Sequence, residues 1–298
     1  MCSIDLSKAF NTVNHNALFL KLMQRQLPVK LSELIENLLN NCLSTVKWFG
    51  VHSSFFETRF GVRQGSVLSP TLFAVYINDI IPKGMSDCNS IMILYADDIL
   101  LVTQSICHLQ RLLLLCESEL NWLDMRINAQ KSCCLRICPR FNVACSNLVS
   151  SSGITLPWVK EFRYLGCHII SAKIFKCSTS HNKRLFYSAA NAIFGRVGRI
   201  ASEEVFINLL NSKCVPILLY GLECFILNNA DRNSLDFTLR RVFMKLFKTA
   251  NVEIVNICMS QFNVLLPSVL LETRAQKLSS KYAASANRLC YILAANGT

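Results

Sequence analysis

Two adjacent aspartates, Asp97 and Asp98, interrupt an otherwise apolar stretch, SIMILYADDILLV at 90–102. Ionised carboxylates taken out of water are costly unless compensated, so either a turn exposes this pair to solvent or a cation meets it. Neighbouring side chains of a straight strand point to opposite faces, and the two carboxylates converge only if the chain reverses at them. A hairpin tip does that, although an Asp-rich tip is also a common solvated turn. Asp5 likewise ends a short apolar strand, in CSIDL. Three carboxylates on adjacent strand ends could hold two divalent ions about 3.5–4 Å apart, an arrangement that activates an attacking hydroxyl and stabilises a leaving pyrophosphate. Magnesium suits such hard oxygen ligands and accepts substrate phosphates in its shell. The pattern points to phosphoryl transfer on a nucleotide.

The elements that must aim these groups follow from periodicity and punctuation. Residues 2–6 read as a strand end, followed by a helix capped at Asn14 or Asn16 with Leu18, Leu22 and Met23 at helical spacing. A second amphipathic helix is expected over 31–43, and a short aromatic strand over 55–60. GVRQGSVLSP follows, its glycines calling for irregular backbone, with Ser69 as N-cap and Pro70 as N1 of a helix reaching Asp79 or Ile80. A turn at Pro82 and Gly84 precedes the strand pair around Asp97 and Asp98. Then come a helix over 105–125, strand material at 126–128 and 132–137, a loop at 146–153 and a hairpin strand at 162–170. Helices are expected at 183–200, 203–213, 215–227, 233–248 and 268–293. This order predicts an α+β fold, an antiparallel sheet with packed helices followed by an all-α module.

Composition narrows the class. With 298 residues and 52% apolar content the chain can bury a large core or two ordinary ones. No run approaches the roughly 18 uninterrupted apolar residues of a membrane span, and MCSIDLS has no secretory pattern, so a soluble intracellular chain is expected, nuclear or cytoplasmic not being distinguished. The fifteen cysteines contain no CxxC pair, and Cys133, Cys134 and Cys138 have no histidine at finger spacing. They read as reduced, mostly buried small hydrophobes, without a disulfide framework. The net charge of +12 is unevenly spread: residues 1–125 hold 9 Lys and Arg against 11 Asp and Glu, and residues 126–298 hold 22 against 8. A basic second half fits either a polyanion such as nucleic acid or a merely solvated surface.

Five motifs then carry a resemblance. DLSKAF with NTVNH (5–15), GVRQGSVLSPTLFAVYIND (61–79), YADD (95–98), RINAQKS (126–132) and FRYLG (162–166) stand in the order found in reverse transcriptases of non-LTR, LINE-type retrotransposons, and VPILLYGLE (215–223) resembles the segment beyond their polymerase core. The resemblance implies a polymerase palm over 1–145, a connecting loop and primer-grip-like hairpin over 146–175, and a basic helical thumb-like region over 176–298. It implies RNA-directed DNA polymerase activity with an RNA template, a DNA primer and deoxynucleotides as partners. Asp5, Asp97 and Asp98 match the metal-binding aspartates, for two Mg²⁺ ions with Mn²⁺ as a substitute. Lys131 matches the lysine that protonates the leaving pyrophosphate.

Phe10 matches the aromatic gate under the sugar, though a core phenylalanine is the plainer reading of such a residue by itself. Gln64 and Gly65 match the loop beside the incoming nucleotide and template, where glycine admits close backbone approach and an amide can hydrogen-bond, and Arg63 is a candidate for phosphate contact. Phe162, Tyr164, Leu165 and Gly166 match the primer grip and fit ordinary packing equally. Lys183, Arg184, Arg196, Arg199, Arg240, Arg241, Lys245 and Lys248 are candidates for phosphate contact or for solvated helix faces.

Two departures stand out. Asn11 occupies a position where the family usually has aspartate, and an amide cannot form the charge-assisted bonds of a carboxylate. In the family a fingers subdomain precedes the first catalytic aspartate, whereas Met1 stands four residues before Asp5, so a chain without fingers is expected. The alternative to an active polymerase is therefore an inactive, truncated remnant that at most binds RNA or RNA–DNA duplex.

Overall fold

A computed structural model describes residues 1–40, 42–80, 90–197, 200–287 and 290. The chain divides into two compact units, Met1–Lys160 and Glu161–Thr298. The turn expected at Pro82 and Gly84 lies outside the described residues, as does Arg199.

The first unit is built on a four-stranded antiparallel sheet whose central members are β1 (Cys2–Ile4) and, further along the chain, the second strand of the long hairpin. After β1 come α1 (His15–Gln24) and α2 (Val29–Asn40), then a hairpin of very short strands, β2 (Leu43–Ser44), β3 (Lys47–Trp48), β4 (Val51–His52) and β5 (Phe56–Glu57). Next are α3 (Ser69–Ile77), β6 (Ser90–Tyr95), β7 (Asp98–Thr103), α4 (Ile106–Trp122), β8 (Cys133–Cys134), β9 (Leu148–Val149) and β10 (Thr155–Leu156). The sheet order is β6-β7-β1-β8.

Local chemistry explains the ends of these elements. The Asn14 side chain accepts from Asn16 N and Ala17 N, capping α1, and Ser105 accepts from His108 N at 3.2 Å, capping α4. On α4 the buried Leu109, Leu112, Leu113, Cys116 and Leu120 recur at helical spacing and join the sheet's core residues Cys2, Ile4, Ile99 and Leu101. Pro70 is at the start of α3 as expected, but Leu68 is the N-cap and Ser69 is already helical and buried. The loop expected at 146–153 contains β9, which pairs with β10, and the strand expected at 126–128 is reduced to a single bridge, Leu6 to Ile127.

Tyr76 ties three of these helices together. Its hydroxyl donates to Leu123 O at 2.8 Å, just past α4, and accepts from Asn14 N at 3.2 Å, the cap of α1, while the ring sits fully buried in α3. The hairpin over 43–57 is the opposite case: Trp48, Phe49, Val51 and Phe55 are all more than 70% exposed.

The second unit opens with a three-stranded sheet, β11 (Glu161–Tyr164), β12 (Cys167–Ile170) and β13 (Lys176–Cys177). It continues with α5 (Ser180–Val197), α6 (Glu203–Leu209), a π-type turn at 210–214, α7 (Val215–Leu218), α8 (Asn229–Leu246), α9 (Val252–Gln261) and α10 (Pro267–Ala283). Its core gathers Phe186, Phe206, Leu210, Leu218, Leu235, Leu239 and Phe243. The helix expected over 215–227 stops after one turn, because Gly221 takes a left-handed φ of +70° that a continuing helix cannot use. The helix expected from 233 begins earlier, at Asn229, capped by Asn228 whose side chain accepts from Asp231 N. The helix expected to reach 293 ends, among the described residues, at Ala283.

Cys2, Cys42, Cys116, Cys134, Cys177 and Cys214 are buried, whereas Cys107 and Cys224 are exposed and the other described cysteines lie between. Expecting most of them buried was therefore too broad. Burial pushes the Cys116 thiol up to about 12, which keeps it protonated and inert. No helix among the described residues is long and apolar enough to cross a membrane.

Candidate active site

The β6–β7 hairpin reverses where the apolar flanks require it. Tyr95 pairs with Asp98, leaving Ala96 and Asp97 as the two corner residues. Ala96 adopts a left-handed φ of +51°, a conformation that a residue with a Cβ holds only at a cost in strain. On the other side of β7, Ile4 pairs with Ile99, so Asp5 follows in register opposite Asp98. The three carboxylates thus share one end of the sheet. Burial, then the charges of Asp97 and Asp5, hold the Asp98 carboxyl above its ordinary range.

Asp5 lies past the last ladder pair of β1, and its backbone is held instead by the turn at 128–132. Asp5 N donates to Ser132 Oγ at 3.1 Å and Asn128 N donates to Asp5 O at 2.8 Å. The same turn carries Lys131, whose Nζ stands 4.0 Å from Asp5 Oδ2 with 71% of its side chain exposed. An ion pair so open to water adds little to stability, and its interest is positional.

Phe10 occupies a short 3₁₀ turn (Ala9–Asn11) that follows Asp5. Its half-buried ring stacks on Phe73 of α3, centroids 4.6 Å apart. The segment leading to Arg63 is stitched to this turn: Val62 N donates to Phe10 O and Gly61 N to Val13 O, each at 2.8 Å, and His15 Nε2 donates to Gly61 O at 2.8 Å. Gly61 is required here. Its φ is +84°, and a Cβ would stand 2.8 Å from Phe10 O and 2.9 Å from Asn11 Cα. Beyond this close approach Arg63, Gln64 and Gly65 project as an exposed turn, closed by Ser66 N donating to Arg63 O at 3.2 Å.

In the second unit, Phe162, Tyr164, Leu165 and Gly166 form one hairpin. Tyr164 pairs with Cys167, and Leu165 and Gly166 both have positive φ, the geometry of a tight two-residue turn. Phe162 is buried, and Tyr220 Oη donates to Leu165 O at 3.2 Å. Several basic residues proposed for phosphate contact have partners within the unit. Lys183 donates to Ser234 Oγ, Arg240 to Asn256 Oδ1, and Lys245 to Asn191 Oδ1 while lying over the Phe194 ring. Arg241 and Lys245 rim a cleft of about 510 Å³ between α5 and α8.

The structure therefore brings together Asp5, Asp97, Asp98 and Lys131, and separately joins Phe10 to the Arg63–Gly65 turn. The primer-grip-like residues belong to the other unit. Sequence reasoning marked Gly61 as a site of irregular backbone but missed Ser132 and His15 as parts that fix this geometry, although both lie inside the motifs quoted for it. A hydroxyl directly after Lys131, and a histidine in NTVNH, were the available signals.

The donors fit a divalent cation by chemistry: hard oxygens of three carboxylates, one of which is raised first by burial and then by the charges of the other two. Among the described residues, no three His, Cys, Asp or Glu side chains converge tightly enough to cage an ion as they stand.

Comparison with known proteins identifies the family. The family described as "Reverse transcriptase (RNA-dependent DNA polymerase)" matches residues 1–169. The RNA-directed DNA polymerase from mobile element jockey of Drosophila funebris is 26% identical over 246 residues, covering 75% of this chain and 25% of that protein. The retrovirus-related Pol polyprotein from type-1 retrotransposable element R2 of Popillia japonica is 25% identical over 237 residues, covering 74% of this chain and 32% of that one. The chain thus spans between a quarter and a third of the length of these two relatives. Among solved structures, telomerase from Candida albicans in complex with a fragment of telomeric RNA aligns with a TM-score of 0.47 at 11% identity, over 89% of this chain and 49% of that one. The match over residues 1–169, more than half of the chain, places it in the reverse transcriptase family, and its domain is similar to those of non-LTR retrotransposon RNA-directed DNA polymerases.

Proposed function

We propose that this chain performs RNA-directed DNA synthesis, in which a primer 3′-hydroxyl loses its proton to solvent and attacks the α-phosphate of a deoxynucleotide, breaking the bond to pyrophosphate, which leaves. The observation that carries this reading is the meeting of Asp5 with the Asp97–Asp98 hairpin tip, beside Lys131. Asp5, Asp97 and Asp98 would hold two Mg²⁺ ions, with Mn²⁺ as a substitute. When bound, such ions lower the pKa of the attacking hydroxyl and neutralise charge on the leaving group.

The protein's own residues do the rest. The Lys131 ammonium supplies the proton that pyrophosphate takes as it departs. Phe10, backed by Phe73, presents its ring to the sugar and leaves no room for a 2′-hydroxyl. Arg63 meets phosphate, and the Gln64 amide with the Gly65 backbone borders the nascent base pair. In this reading 1–145 is the palm, 146–175 includes the primer-grip hairpin with Phe162, Tyr164, Leu165 and Gly166, and 176–298 is a thumb whose basic helices follow the template–primer backbone.

Primer extension on an RNA template tests it. Template-dependent synthesis by the chain, lost in Asp97→Ala, is expected. Synthesis absent from both, with salt-sensitive binding of RNA or RNA–DNA duplex retained, would overturn it in favour of a binding-only remnant.

A further inference from the structure

Ser132 has no solvent exposure, yet its hydroxyl is bonded on both sides. It accepts from Asp5 N at 3.1 Å and donates to Asn128 O at 2.8 Å, and Asn128 N returns a bond to Asp5 O at 2.8 Å. The last pair of the β1–β7 ladder is Ile4 with Ile99, and Asp98 is engaged with Tyr95 on β6. One step past the ladder, the Asp5 amide is held by a side chain.

We propose that Ser132 is a positioning residue: its hydroxyl fixes the Asp5 backbone so that the Asp5 carboxylate faces the cations and Lys131 in one geometry. This rests on the metal-dependent reading given above. The closed site requires donor and acceptor capacity on one small atom, which a hydroxyl has and a methyl group lacks. Alanine there leaves the Asp5 N–H without its partner and frees the carboxylate to drift. Threonine keeps the hydroxyl. Lys131 follows the same turn, so one hydrogen bond sets the placement of both a carboxylate and an ammonium group. Partners that orient metal-holding side chains in this way commonly change metal affinity by about 10- to 100-fold when removed.

The test uses the full chain and Mn²⁺ alone, with no nucleic acid. Thermal stabilisation by Mn²⁺ is titrated for wild type, Ser132→Ala, Ser132→Thr and a control, Ser118→Ala, whose exposed hydroxyl bonds only to Leu115 O of its own helix. Hydrogen exchange of the Asp5 amide is followed alongside. Expected are a Mn²⁺ midpoint raised about 10-fold or more in Ser132→Ala, faster Asp5 amide exchange, recovery of both in Ser132→Thr, and no change in Ser118→Ala. A midpoint equal to wild type in a folded Ser132→Ala, or no Mn²⁺ response in wild type, overturns the proposal. A wild type whose Mn²⁺ binding depends on Ser132 but which extends no primer would sink the polymerase reading and leave this one standing.

Discussion

Lys21 Nζ lies 3.0 Å from Asp79 Oδ2 and 2.5 Å from Tyr76 O, with the lysine side chain 4% exposed and the aspartate 48% exposed. The rings of Tyr76 and Trp122 flank the ammonium group, their centroids 5.7 and 5.6 Å away. This buried cation ties α1 to the end of α3, the helix on which Phe10 leans through Phe73. Lys21→Met leaves a buried carbonyl without its partner and is expected to cost about 1–3 kcal/mol. Asp79→Asn should cost less, since its carboxylate is half in water. Urea unfolding of the two variants checks the order, and an equal loss would contradict it.

Gly61 and Gly65 have nearly the same φ, +84° and +85°, but only Gly61 has backbone atoms in the space of a Cβ. Alanine at Gly65 meets open space and should cost about 1 kcal/mol in backbone strain alone. Alanine at Gly61 adds a clash with Phe10 and Asn11 and should cost about 2 kcal/mol or more beyond that. Denaturant midpoints of the two variants separate strain from collision. Equal midpoints would mean that the Phe10 turn yields freely.

Asp98 links the site to pH. Its carboxyl is raised by burial and by the charges of Asp97 and Asp5, so the folded state binds this proton more tightly than the unfolded state. A group raised in this way favours folding below its unfolded pKa and loses that contribution as pH rises through the folded value. Asp98→Asn is therefore expected to raise the Tm of the metal-free chain at neutral pH, with the advantage shrinking as pH falls below the ordinary carboxylate range. Mg²⁺ should stabilise wild type more than the variant. A variant less stable at neutral pH without metal would show that Asp98 is not under repulsion.

Phe10→Val keeps an apolar side chain against Phe73 and removes the ring from the proposed sugar site. The ratio of kcat/KM for a ribonucleotide to that for its deoxynucleotide should rise by about 10-fold or more. Primer extension with each nucleotide measures it. An unchanged ratio would leave Phe10 as packing for α3.

What was legible in the sequence was local. The apolar flanks of Asp97 and Asp98 spell a hairpin, Asn14 spells a cap, and the leucines of α4 recur at helical period. Of the hairpin over 43–57 only the last strand, Phe56–Glu57, falls in a stretch expected as strand; the other three were illegible because they are two residues long and their apolar side chains face water, so no alternation marks a buried face. The helix expected through Leu227 failed at one glycine, which a hydrophobic run conceals. At the site, the residue types of Asp5 and Lys131 were readable but their support was not. The glycines of the 61–70 stretch announced irregular backbone, but Ser132 and His15 act through bonds to backbone atoms far along the chain, and such bonds have no period or composition to detect.

The sheet order also sets when the site comes into being. β1 has only three residues, yet it sits between β7 and β8, pairing Ile4 with Ile99 and Cys2 with Cys134. The β6–β7 hairpin closes locally, whereas seating β1 demands that long loops be gathered, an entropic cost met only when both neighbours are in place. Asp97 and Asp98 can thus be presented on a nascent hairpin well before Asp5 arrives. The three-carboxylate end of the sheet is then expected to be completed late in folding, when β1 is seated.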